Sequence, residues 1–151
     1  MPFTIETSDW MYSIIYEHFL DKNDIHNANK TAERYINNTM AHFAYFDSIS
    51  QQDYGRAIRN IYLCHDNILN ARFLPIIIQK LKDQNYQFIS VDQALKVSVY
   101  GQKEYFQGRT GISWLYHWMN NQNDIIRYSQ AEPNIDEDRK LYDEILKQNK
   151  R

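Results

Sequence analysis

The chain has 151 residues, 43% of them apolar, and a formal charge of -2, which suits one domain, residues 1–151, able to bury roughly 70% of its unfolded surface. Its lysines and arginines are scattered, so there is no basic stripe of the kind phosphate-backbone binding needs, and nucleic acid is not an expected partner. No apolar stretch approaches the ~20 residues of a membrane span, and the start, MPFTIETSDW, has neither a basic n-region nor an apolar h-region, so the expectation is a soluble chain that is cytoplasmic as written. The single cysteine, Cys64, lies inside an apolar run. It excludes an internal disulfide and a cysteine-pair metal site, and reads as a small buried hydrophobe.

Four glycines and three prolines in the whole chain disfavour an all-β, turn-rich fold. Thr4 to Asp9 reads as a strand with Trp10 at its end. Met11, Ile14, Ile15 and Phe19 then fall at helical spacing, and a second stripe runs through Ile25, Ala28, Ala32, Tyr35, Ile36, Met40 and Phe43, the two helices splitting near Asp21 to Asp24. Ile61 to Cys64 reads as a second strand. Asp66 or Asn67 can cap the helix that follows, whose buried face includes Leu74, Ile77, Ile78 and Leu81, with Pro75 placed near its start. Asn85 can close that helix. Tyr86 to Ile89 reads as a third strand, and Ser90 with Gln93 matches a capping box. Gly111 to Asn120 and Asp136 to Lys147 look helical. Strands alternating with helices predict an α/β fold with parallel strands.

In such folds ligands lie at the carboxyl ends of strands, where loops and helix N-termini present polar groups without disturbing the core. Two stretches place chemistry there: Asp9 with Trp10 ending the first strand, and His65 ending the second. By position alone, a tryptophan there also fits packing, and a single histidine fits a hydrogen-bonded structural role.

Taken together, "ETSDWMY" and "IYLCHDNILNARFLPIIIQKLKDQNYQFISVDQAL" resemble the C-terminal half of the polysaccharide deacetylases, the NodB homology domain of carbohydrate esterase family four. The resemblance covers most of residues 3 to 100, and "GISWLYHW" also resembles the tail of some members. It implies a partial (β/α) barrel of the NodB type with a helical tail over 101–151. It also implies removal of acetyl groups from N-acetylated sugars with zinc or another divalent metal. Of the family's five motifs the chain holds the last two. In the fourth, an acidic residue followed by a tryptophan four positions on, Glu6 and Trp10 match, with Asp9 between them and Glu6 replacing the usual aspartate. The resemblance makes Trp10 the wall of a sugar groove and the acidic group an orienting residue. In the fifth motif Leu63 lines the acetyl-methyl pocket and His65 is the general acid. Such an acid suits the reaction, because an amine leaves poorly unless it is protonated as the bond breaks. Strand alternation puts Leu63 and His65 on one face and turns Cys64 to the other.

The motifs that supply the family's aspartate base and metal ligands are missing, so no metal site and no cofactor are expected in this chain. His18, His26, His42 and His117 lack a histidine partner three or four residues away, and solvated helix faces are their expected setting. The reading is therefore a fragment that carries the general acid and is inactive alone. Its partners would be an acetylated carbohydrate and a missing N-terminal half, or a second copy covering the open strand edge. The alternative is a non-catalytic remnant that binds a sugar or a partner.

Overall fold

The computed structural model describes residues 2–108 and 111–149; Met1 and residues 109–110 and 150–151, the last four within the expected helical tail, lie outside them. The chain divides into two compact units. One comprises Met1–Glu6, His42–Leu63 and Gln87–Pro133, the other Thr7–Ala41, Cys64–Tyr86 and Asn134–Arg151.

The first unit holds β1 (Ile5–Glu6) and, much later in the chain, β2 (Tyr62–Leu63), which pair in parallel with Ile5 opposite Tyr62 and Glu6 opposite Leu63. Among the described residues these are the only strands, and helices dominate. The expected NodB-type barrel with alternating strands is therefore not formed. Hydrogen bonding around β1 gives the reason. Thr4 binds the chain before β2 through its backbone N–H to the Ile61 carbonyl at 2.9 Å, while its Oγ1 accepts the Ile61 N–H at 2.9 Å. The Phe3 and Thr4 carbonyls are taken by the Trp114 N–H at 2.8 Å and by Ser113 Oγ at 2.6 Å. A further strand finds these groups already paired, so the open edge expected of β1 is partly covered. Tyr86 to Ile89, expected as a third strand, is irregular, with Phe88 and Ile89 exposed. An apolar run cannot hold a strand without a neighbour to complete its ladder.

Helix α2 (Ile25–Tyr54) begins in the second unit and ends in the first. Its apolar spacing continues past Phe43 through the buried Phe46 and Ile49, which extends the helix well beyond the predicted stripe. It stops where Gly55 takes φ +64, a left-handed conformation that costs glycine little. The rest of the first unit is short helices: α4 (Val91–Leu95), a 3-10 turn at Ser98–Gly101, α5 (Trp114–His117) and α6 (Gln122–Gln130). In the intervening second-unit segment lies α3 (Ile68–Asp83). The capping box at Ser90 and Gln93 forms as expected. The helix expected over Gly111 to Asn120 shrinks to α5, whose residues Leu115 and Tyr116 are buried with Trp118. Sequence reading did not find α6. Asn121 caps it, accepting the Asn123 N–H at 3.0 Å, and Ile125 and Tyr128 bury one face.

The second unit packs α1 (Asp9–Asp21) against α3 and α7 (Asp136–Asn149). Met11, Tyr12, Ile15 and Tyr16 of α1, Leu69, Ile77 and Leu81 of α3, and Ile145 of α7 are buried, each such apolar side chain stabilising the unit by about 1.5–3 kcal/mol. Asp138 of α7 accepts from Tyr12 Oη at 2.8 Å and from Arg34 Nε at 2.6 Å. Pro75 sits inside α3 rather than near its start, where it cannot donate to the Ala71 carbonyl. Asn85 closes α3 with φ 67, as its side chain allows. Two expectations about single residues fail here and in the first unit. Cys64 is exposed, because β2 ends at Leu63 and strand alternation no longer governs the next position. His42 and His117 are buried, not solvated: His117 stacks on Trp114 with centroids 4.1 Å apart and lies 4.9 Å from Phe106. Among the described residues no helix is long and apolar enough to cross a membrane.

Candidate functional site

The site forms within the second unit, where the chain leaves each strand. Thr7 and Ser8 turn the chain out of β1, Ser8 in a left-handed conformation with φ 55, unusual for a residue with a Cβ. This turn ends the predicted strand early and makes Asp9 the first residue of α1, with Trp10 the second rather than a strand terminus. A carboxylate in that position faces the unpaired N–H groups and positive end of the helix. Asp9 is fully buried, and its Oδ1 accepts the Trp10 N–H at 2.9 Å.

His65 follows β2 by two residues and precedes α3. Its backbone N–H donates to Asp9 Oδ2 at 2.6 Å, and its ring Nδ1 lies 2.6 Å from Asp9 Oδ1. Asn70 Nδ2 donates to Asp9 Oδ2 and, at 2.8 Å, to the His65 carbonyl. Asn67 caps α3, its Oδ1 accepting the Asn70 N–H at 2.8 Å, and its Nδ2 reaches Asp9 Oδ2 at 3.4 Å. Behind Asn70, the buried Tyr35 hydroxyl donates to its Oδ1. Asp9 thus collects donors from its own helix, from His65 and from the start of α3, which is how a buried carboxylate is stabilised away from water.

The geometry sets the imidazole's protonation pattern. With a carboxylate on Nδ1, that nitrogen carries the proton, and Nε2 is the acceptor of the neutral ring and the second donor of the charged ring. The His65 side chain is 47% exposed while that of Asp9 is 0% exposed. One ring nitrogen is thus held by the carboxylate while much of the ring stays exposed. Trp10, 38% exposed, meets Tyr142 edge-on with centroids 5.4 Å apart. Glu6 and Leu63 belong to the first unit, where they are Cα partners at the ends of β1 and β2. The carboxylate that orients His65 is therefore Asp9, not the motif position occupied by Glu6. Asn70 and Tyr35 were not found from sequence. The available signal was a polar Asn70 on the apolar stripe of α3, three residues after the cap Asn67.

Cys64 is exposed beside this network, but partial burial of its sulfur, followed by the negative charge of Asp9, pushes the thiol above its ordinary pKa. A raised thiol pKa lowers the thiolate fraction at neutral pH and so slows attack on electrophiles. Alkylation of Cys64 by iodoacetamide, followed by mass spectrometry across pH, is expected to be slow near pH 7. Its midpoint should lie above that of a free cysteine; a midpoint at or below that value contradicts the assigned environment.

Among the described residues no three His, Cys, Asp or Glu side chains stand together to hold a metal ion. The groups gathered around Asp9 are one imidazole and two side-chain amides. Comparison with protein-family models, with curated proteins and with solved structures finds no match to the chain.

Proposed function

We propose that the chain acts in the hydrolytic removal of acetyl groups from N-acetylated sugars, with His65 as the general acid that protonates the departing nitrogen. The observation that supports this reading most directly is the Asp9–His65 pair, held at 2.6 Å with the imidazole half in solvent. A buried carboxylate on one ring nitrogen of a half-exposed imidazole is the arrangement that orients a histidine for proton transfer. Asp9 orients the ring, Asn70 orients Asp9, and Tyr35 holds Asn70. Trp10 supplies an exposed aromatic face of the kind sugars stack on. The attacking nucleophile lies outside this constellation, so the purified chain is expected to release no acetate by itself. A second reading, sugar binding without catalysis, is favoured by the exposure of Trp10 and uses the same surface.

The test is an NMR titration of the purified chain with N-acetylglucosamine oligomers, observing the His65 ring and Trp10 indole signals. Both are expected to shift together, and His65→Ala is expected to leave the Trp10 response in place. Signals unmoved at millimolar sugar would overturn both readings. Acetate release from the purified chain would contradict its expected inactivity, and release equal in His65→Ala would also remove His65 from the role of general acid.

A further inference from the structure

Several of the large apolar side chains that stand exposed among the described residues fall together in one short segment of the first unit: Phe88, Ile89, Val91 and Leu95. Phe88, at 54%, is the most exposed of all of them. Val91 and Leu95 lie one turn apart on α4 and share its face. A single apolar residue on a surface is ordinary, whereas a run of them marks a contact surface.

The backbone supplies a second observation. Gln87, Phe88 and Ile89 are exposed and irregular, and among the described residues nothing hydrogen-bonds to their N–H and C=O groups. An aromatic residue followed by β-branched ones has the composition of a strand, and what this segment lacks is a neighbour. The helix that follows is anchored, by the capping box of Ser90 with Gln93 and by Arg59 Nη1, which donates to the Gln93 carbonyl at 2.7 Å.

Charge points to the partner. Residues 84–91 include no charged side chain, so nothing in the run selects a partner of opposite charge and nothing repels a second copy. Edges that remain single are usually guarded by lysine, proline or a bulge, and these residues contain neither lysine nor proline. An uncharged, proline-free run of strand formers is the pattern that pairs with itself. Antiparallel pairing about a two-fold axis places the donors of each copy on the acceptors of the other, so one surface serves both partners. It also sends the two Asp92 carboxylates to opposite ends of the ribbon.

We propose that residues 87–89 pair antiparallel with the same segment of a second copy, and that Phe88, Ile89, Val91 and Leu95 form the apolar part of this contact. A patch on the order of a few hundred Å² falls below the ~800 Å² per partner of a stable complex. The dimer is therefore weak and depends on concentration.

Sedimentation equilibrium of the purified chain from about 10 μM to about 1 mM measures the association, and amide hydrogen exchange by NMR reads the backbone contact. Dimers are expected within that range. Alternate backbone groups of an antiparallel strand face the partner, so the amide of Phe88 or of Ile89 is expected to exchange more slowly as concentration rises. Phe88→Lys and Ile89→Lys, at exposed positions, are each expected to keep the circular dichroism of the parent and to weaken dimerisation roughly tenfold or more, because they set like charges across the pair. Ile76→Lys, at an exposed position on α3, is expected to leave dimerisation unchanged. A chain that stays monomeric throughout overturns the proposal. So does dimerisation undiminished in both lysine variants, or weakened equally by Ile76→Lys. Dimers in which neither the Phe88 nor the Ile89 amide gains protection overturn the strand pairing.

Discussion

Replacing Asp9 with alanine is expected to lower stability by about 3–5 kcal/mol, the cost of removing one partner from a buried charged network. The cause is the set of donors it leaves behind. The His65 backbone N–H, the His65 ring, Asn70 Nδ2 and the Trp10 N–H all point at this carboxylate, and a side chain of no exposure gives water no route to replace it. His65→Ala is the informative contrast. Its ring is half exposed and Asp9 keeps its remaining donors, so the loss should stay below about 1 kcal/mol. Urea unfolding followed by circular dichroism measures both. A loss in Asp9→Ala no greater than that in His65→Ala contradicts the description of Asp9 as the hub.

The second large effect is expected at Asp138, where α7 is held to the rest of its unit by hydrogen bonds to Tyr12 and Arg34. Asp138→Ala is expected to cost about 2–4 kcal/mol, because the Tyr12 hydroxyl is left in an enclosed position without its acceptor. That hydroxyl is already held far above the usual tyrosine range, by its burial first and by the hydrogen bond to Asp138 second. It stays a neutral donor through the accessible pH range. Tyr12→Phe alone removes the donor with its need for a partner and should cost about 1 kcal/mol. In the double variant the losses should sum to less than the two singles by about 1 kcal/mol, since the orphaned hydroxyl is gone. Strict additivity in that cycle means the Tyr12–Asp138 bond contributes nothing to the docking of α7.

Most helices were legible because each signal was local. Met11 and Ile15 of the first stripe and Ala28, Ala32, Tyr35 and Phe43 of the second are buried, whereas Ile25 at the head of the second is exposed, and Asn67, Asn85, Ser90 and Gln93 act where their capping chemistry places them. Short strands were harder to read, since Tyr86 to Ile89 has a strand's composition but stays irregular and joins neither strand of the sheet. Position at the strand ends singles out Trp10 and His65, and the family resemblance adds a role to each. The resemblance also carried over a barrel that the chain does not form, because a motif of a few residues at strand ends leaves the number of strands unspecified.

The sequence by itself determined that Asp9, Trp10 and His65 stand shortly after two parallel apolar segments, and that an imidazole would be offered at the start of a capped helix. Those facts depend on periodicity and capping within a dozen residues. Only the tertiary structure decided which acid meets the imidazole. Glu6 and Asp9 are both acidic and both near Trp10, and the choice falls to Asp9 because Ser8 turns the chain into the left-handed region and starts a helix there. It also decided that Asn70 and Tyr35 stand behind that pair and that His42 and His117 are buried. Contacts between residues far apart in the chain depend on how helices pack, and packing is settled by the whole set of buried surfaces, not by any local pattern.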